Sequence, residues 1–172
     1  CMERQTVLIV DDSELNRMML MEILGEQYYY IEASDGREAV RLMEKKLTVD
    51  LMLLDINMPE MNGFQVLEQM NRFRWIDEIP VIMISADETS QAIQQAYAMG
   101  VTDYIRRPFD TFIVRRRVEN TLKLYANQKR LMHLVSDQIR EKEENSNLMV
   151  GILSHVVEFR NHEGGDHIRN IR

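Results

Sequence analysis

The sequence has little cysteine: Cys1 alone among 172 residues. That excludes an internal disulfide framework and suits a reducing compartment. No apolar run approaches the roughly 20 residues of a membrane span. Charged residues interrupt the chain from Glu3 onward, so no signal peptide is expected either. Positive charge is in deficit, with a net charge of -7 that argues against a nucleic-acid-binding surface spread over the molecule. Internal repeats and low-complexity tracts are absent. From Asp110 to about Asn145 there is neither proline nor glycine, so nothing interrupts a helix there. What is present suits a soluble, cytoplasmic protein: 45% hydrophobic residues for a core and 28% charged residues for a surface.

Three short apolar runs stand out: Val7-Leu8-Ile9-Val10, Leu51-Met52-Leu53-Leu54 and Val81-Ile82-Met83-Ile84. Unbroken runs of four are too short for helices and fit strands buried on both faces of a parallel sheet. Weaker candidates, Tyr28 to Ile31 and Asp103 to Ile105, bring the strands to five. Between them lie helical patterns. Phe64, Leu67, Met70 and Phe73 recur at spacings of three, as do Ile93, Ala96 and Met99. Gly25 and Gly100 sit where helix C-terminal glycines belong, and Ser34-Asp35-Gly36 opens the second helix. Strand and helix thus alternate five times, and right-handed crossovers give an α/β fold with an open, doubly wound parallel sheet.

The long helix after Asp110 carries Val118, Leu122, Tyr125, Met132 and Ile139 at four-three spacing, interrupted by Lys129 and Ser136. A homodimer helix and a solvated helix whose first half packs on the sheet both fit that pattern. Glu141 to Asn147 is a polar break, followed by a new apolar segment from Leu148 to Phe159.

The chemistry lies at the strand ends. The first strand runs into Asp11-Asp12, the third into Asp55 and the fourth into Ser85, and Arg107 comes just after the fifth. In open α/β sheets, sites form at the carboxyl ends of strands where the strand order reverses. If strands one, three and four are neighbours, three carboxylates and a hydroxyl converge there. Such carboxylates take up protons unless a cation neutralises them. Oxygen ligands without histidine or cysteine favour Mg²⁺, with Mn²⁺ as the alternative. A metal, a carboxylate nucleophile, the Ser85 hydroxyl and the Arg107 cation together suit phosphoryl transfer. A lone aspartate at a strand end is usually a turn or helix cap; the concurrence of four strand ends is what argues for a site.

Four motifs, Val-Asp-Asp (10–12), Leu-Leu-Asp-Ile-Asn-Met-Pro-Glu-Met-Asn-Gly (53–63), Ile-Ser-Ala (84–86) and Asp-Tyr-Ile-Arg-Arg-Pro-Phe (103–109), resemble those of bacterial response regulator receiver domains. The resemblance covers residues 5–125 and implies a five-stranded (βα)5 flavodoxin-like sheet. It implies that Asp55 accepts a phosphoryl group from a sensor histidine kinase, the domain assisting only its own modification. Asp11, Asp12, Asp55 and the backbone carbonyl of Asn57 would hold Mg²⁺. Ser85 and Tyr104 would form a switch pair, and Asn57 and Asp87 would gate water. The Arg107-Pro108 bond would be cis. The family normally has lysine where Arg107 stands, a change to a larger, planar and always charged group.

Residues 126–147 read as a helical linker, and 148–172 resemble the opening of an HD-GYP domain, a family of metal-dependent cyclic di-GMP phosphodiesterases. The pattern is an apolar helix followed by Glu163-Gly164-Gly165-Asp166-His167, with glycine where the family has threonine. Glu163 and His167 would be metal ligands of an intact output domain. The His-Asp dyad and Gly-Tyr-Pro loop that name the family do not occur, so no phosphodiesterase activity is expected of this chain. Two other classes compete. A pseudo-receiver would dock proteins without phosphorylation, with Arg107 as its support. An aspartate-nucleophile phosphatase would carry Asp-x-Asp, where this chain has Asp55-Ile56-Asn57.

Overall fold

The computed structural model describes residues 3–86 and 89–160, with the backbone alone from 153 onward. Five strands alternate with five helices: β1 Thr6–Val10, α1 Glu14–Leu24, β2 Tyr29–Ala33, α2 Gly36–Glu44, β3 Leu51–Asp55, α3 Gly63–Arg72, β4 Val81–Ser85, α4 Ser90–Ala98, β5 Asp103–Arg106 and α5 Thr111–Arg160. All pairings are parallel and the order is β2-β1-β3-β4-β5, so β1, β3 and β4 are indeed adjacent. No described helix is long and apolar enough to cross a membrane.

The apolar runs become strands because both of their faces are covered. Leu8, Val10, Met52, Leu54, Val81 and Met83 pack into one core with residues of α2, α3 and α4. Val7, Ile9, Leu51, Leu53, Ile82 and Ile84 pack into the other, with Leu20 and Leu24 of α1 and Val114, Val118 and Leu122 of α5. Successive residues thus enter opposite cores, as the two-residue strand period requires. Each buried side chain contributes roughly 1.5–3 kcal/mol relative to exposure.

Local signals set the ends. Ser13, Asp35 and Asn62 cap α1, α2 and α3 through side-chain oxygens, and Asn62 forms a reciprocal capping box with Gln65. Gly25 and Gly100 take φ of 82° and 102°, the left-handed region where a Cβ is strained. Two sequence expectations shift. Phe73 is not part of the α3 core stripe: it is the C-cap, 48% exposed and stacked on Trp75. Repeated steps of three fall short of a 3.6-residue turn, so the stripe that buries Leu67 and Met70 has rotated off by Phe73. The polar stretch 141–147 does not break α5, which continues through it to Arg160, because Glu, Lys, Asn and Ser withdraw no backbone hydrogen bond. The first compact unit ends at Tyr125 and the second begins at Ala126.

Candidate functional site

Parallel register brings the acidic residues together. Val10 pairs with Leu54, so Asp11 and Asp55 follow at the same level of adjacent strands. Asp55 pairs with Ile84 and Ser85 with Arg106, which places Ser85 and Arg107 along the same sheet edge. Asp11, Asp12 and Asp55 each present a carboxylate oxygen within 4.8 Å of the others. Asp11 and Asp55 are buried, at 0% and 1% exposure, and Asp12 is exposed.

Each buried carboxylate has one oxygen engaged. Asp11 Oδ1 accepts from the Ser13 amide at 2.9 Å. Asp55 Oδ1 accepts from the Asn57 amide at 3.2 Å and from Arg107 Nη2 at 2.6 Å. The second oxygens, Asp11 Oδ2 and Asp55 Oδ2, are buried without a hydrogen-bond partner, as is Arg107 Nε. Buried polar atoms are nearly always satisfied, so two orphaned carboxylate oxygens in one acidic cluster call for a cation. The electrostatics agree. Burial, then the charge of Asp11, push the Asp55 carboxyl up to about 7 despite the Arg107 guanidinium, and burial raises Asp11 as well. Repulsion of this kind is relieved by a hard divalent ion with oxygen ligands, so the donor set fits Mg²⁺.

Other predicted residues take definite places. Ser85 is 2% exposed at the end of β4, and its carbonyl accepts from the Arg107 amide at 3.2 Å. The Tyr104 hydroxyl donates to the same carbonyl at 3.2 Å, and its ring packs against the α2–α4 core, so Ser85 and Tyr104 are in direct contact. The Arg107-Pro108 bond is cis. Asn57 is exposed in the loop after β3. Asp87, Glu163 and His167 lie outside the described residues.

Sequence reasoning passed over three supporting residues. Arg17 of α1 donates to the Asp11 carbonyl at 2.6 Å and pairs with Glu32 of β2 at 3.0 Å, fixing the loop that carries the acidic pair. Arg117 of α5 donates to the Tyr104 carbonyl and lies 3.9 Å from Asp103. Gly63 starts α3 against the nucleophile strand: a Cβ there would stand 2.7 Å from the Asp55 carbonyl oxygen and 2.8 Å from Ile56 Cα. Only Gly63 left a sequence signal, as the last residue of the 53–63 motif. The arginines act across elements, at separations no periodicity records.

The sequence profile of the family described as "Response regulator receiver domain" matches residues 7–119. A "Probable cyclic di-GMP phosphodiesterase" of Vibrio cholerae serotype O1 is 29% identical over 170 residues, 95% of this chain and 38% of that protein. "Response regulator RR06" of Streptococcus pneumoniae serotype 2 is 34% identical over 122 residues, 69% of this chain and 54% of that protein. The chain therefore spans little more than half, or less, of these two curated relatives. Among solved structures, Vibrio cholerae chemotaxis protein CheY4 superposes with a TM-score of 0.63 at 28% identity, covering 69% of this chain and 99% of that one.

Proposed function

The chain belongs to the response regulator receiver domain family, and on that premise we propose that Asp55 accepts a phosphoryl group from a phosphohistidine of a sensor histidine kinase. The observation that carries the reading is the pair of orphaned oxygens, Asp11 Oδ2 and Asp55 Oδ2, buried in a cluster whose third member, Asp12, faces solvent. Asp11, Asp12, Asp55 and the Asn57 carbonyl would hold Mg²⁺. When bound, that ion supplies charge neutralisation on the transferring oxygens.

The rest is done by the chain. An Asp55 oxygen attacks phosphorus, the phosphorus–nitrogen bond of the donor breaks, and the electron pair leaves with the imidazole nitrogen. Arg107 has one donor on Asp55 Oδ1 and a second, Nε, without a partner, so its fork can bind a phosphoryl oxygen as well. Ser85 supplies a hydroxyl to the same group. Tyr104, bonded to the Ser85 carbonyl, follows any movement of Ser85 and carries it to the α4–β5 side of the sheet, where its ring packs. The chain would act in the cytoplasm, and the kinase would dock where α1 and α5 flank a groove lined by Met19, Ile23, Phe109 and Thr111. Leu15 and Met18 on α1, and Phe112 on α5, are more than half exposed.

The output we propose is a cyclic di-GMP phosphodiesterase in the full-length protein, with Glu163 and His167 among its metal ligands. Its support is the tail pattern and the Vibrio cholerae relative, whose similarity runs over 95% of this chain. The chain itself is proposed to turn over no cyclic di-GMP, to bind no nucleic acid and to act by protein contact. A phosphorylation-independent docking module remains the second reading, favoured by the resting Arg107–Asp55 ion pair at 2.6 Å. Beryllofluoride with Mg²⁺ separates the two. Amide resonances of residues 84–86 and 104–107 shift together if Asp55 is a phospho-acceptor. A spectrum unchanged by the ligand in wild type, or changed equally in Asp55→Asn, sinks the leading reading.

A further inference from the structure

From residue 126 to residue 152 every side chain of α5 is exposed. A helix in water draws most of its stability from packing an amphipathic face, and here such a face is present. On a seven-residue frame, Gln128, Val135, Lys142 and Met149 occupy the first position, a, and Leu131, Gln138, Asn145 and Ile152 the fourth, d. Met132 and Ile139 flank this seam on one side, Leu134 and Leu148 on the other, at positions e and g. Of the large exposed hydrophobics between 131 and 152, Val150 alone falls outside the stripe. Lys129, Arg130, Asp137, Arg140, Glu143 and Glu144 all fall on the outer positions.

We propose that a second copy of this chain covers the stripe, as a parallel, in-register, two-stranded coiled coil over residues 128–152. The order of layers chooses the occupant and its direction. In register and parallel, Leu131, Val135, Met149 and Ile152 each meet their own kind, and the polar layers Gln138, Lys142 and Asn145 stay together between them, with a Gln128 layer at the N-terminal end. Antiparallel pairings that align a with d keep fewer apolar layers: the fullest overlap opposes Val135 to Asn145 and Ile152 to Gln128, leaving only Leu131–Met149 apolar, and the next register keeps Val135–Ile152 but opposes Met149 to Gln138. In register the two Lys142 side chains share a layer, and a carboxylate stands next to each to offset their like charge. Each a side chain enters a hole that includes the preceding g residue of the facing helix, so Lys142 is set beside Glu141 of the second copy. A β-branched residue at a with leucine at d, as at Val135 and Leu131, favours two strands over three. One buried lysine layer fixes register.

The test uses the whole chain with Cys1→Ser, so that any added thiol is unique. Under mild oxidation, Val135→Cys and Met149→Cys each form a disulfide-linked dimer through the same position, and Arg140→Cys, on the outer face, forms none. A cross-link obtained only by mixing Leu131→Cys with Met149→Cys overturns the parallel arrangement. In sedimentation equilibrium the unmodified chain has the dimer mass, and Val135→Asp shifts it to the monomer mass without moving the thermal transition of the receiver unit. A monomeric unmodified chain, its stripe bare or covered by its own later residues, overturns the proposal. So does a dimer that survives Val135→Asp.

Discussion

Asp55 is pushed up to about 7 by burial first and by the charge of Asp11 second, with Arg107 opposing. An aspartate in an unfolded chain titrates near 3.8, so between the two values the folded state holds more protons. The stability from this group is therefore complete below about 3.8 and is lost as pH rises through about 7. In Mg²⁺-free buffer, Asp55→Asn should gain thermal stability relative to wild type as pH rises from about 4 to about 8, and Mg²⁺ should close the gap at the upper end. Parallel melting curves with and without the substitution would contradict that. Arg107 is the other residue whose chemistry can be isolated. Removing an oriented donor to transferring charge costs on the order of 100-fold, so Arg107→Ala should slow labelling by acetyl phosphate by about that factor, and Arg107→Lys by far less. Equal rates for all three proteins would show that Arg107 stands aside from the phosphoryl group. The acidic residues were legible in the sequence because each ends an apolar run, and the run fixes where the strand stops. Arg17 was not legible, since its hold on the Asp11 carbonyl depends on how α1 lies against β2.

Elements hold these residues in place through close approach. Gly63 lets α3 begin against the backbone of Asp55 and Ile56, with room for hydrogen and not for a methyl group. Gly63→Ala should therefore cost on the order of 1–3 kcal/mol, read as a lower urea midpoint, and should weaken Mg²⁺ binding along with it. An unchanged midpoint would mean that the β3–α3 junction yields more easily than its distances indicate. The same scale shows where pattern reading ends. The strand runs predicted the sheet because burial on both faces leaves a strong signal. Phe73 misled because spacing of three imitates a helical stripe only for two turns. The continuity of α5 past residue 141 was obscured because polar composition was read as a break, although it removes no hydrogen bond.

In the whole molecule, the two cores draw on residues between Val7 and Leu122. A chain ending at Tyr125 should consequently fold and be labelled by acetyl phosphate at the rate of the full chain. Insolubility or loss of labelling would show that later residues complete the receiver. The output end was legible only as resemblance, because Glu163 and His167 lie outside the described residues. The most direct test of the central claim is chemical trapping at position 55. The chain is incubated with acetyl phosphate and Mg²⁺, reduced with borohydride, which converts an aspartyl phosphate to homoserine, and digested for mass analysis. The expected result is homoserine at position 55, dependent on Mg²⁺ and absent from Asp55→Asn. Homoserine at another aspartate, or none at all, would contradict the assignment of Asp55 as the phospho-acceptor.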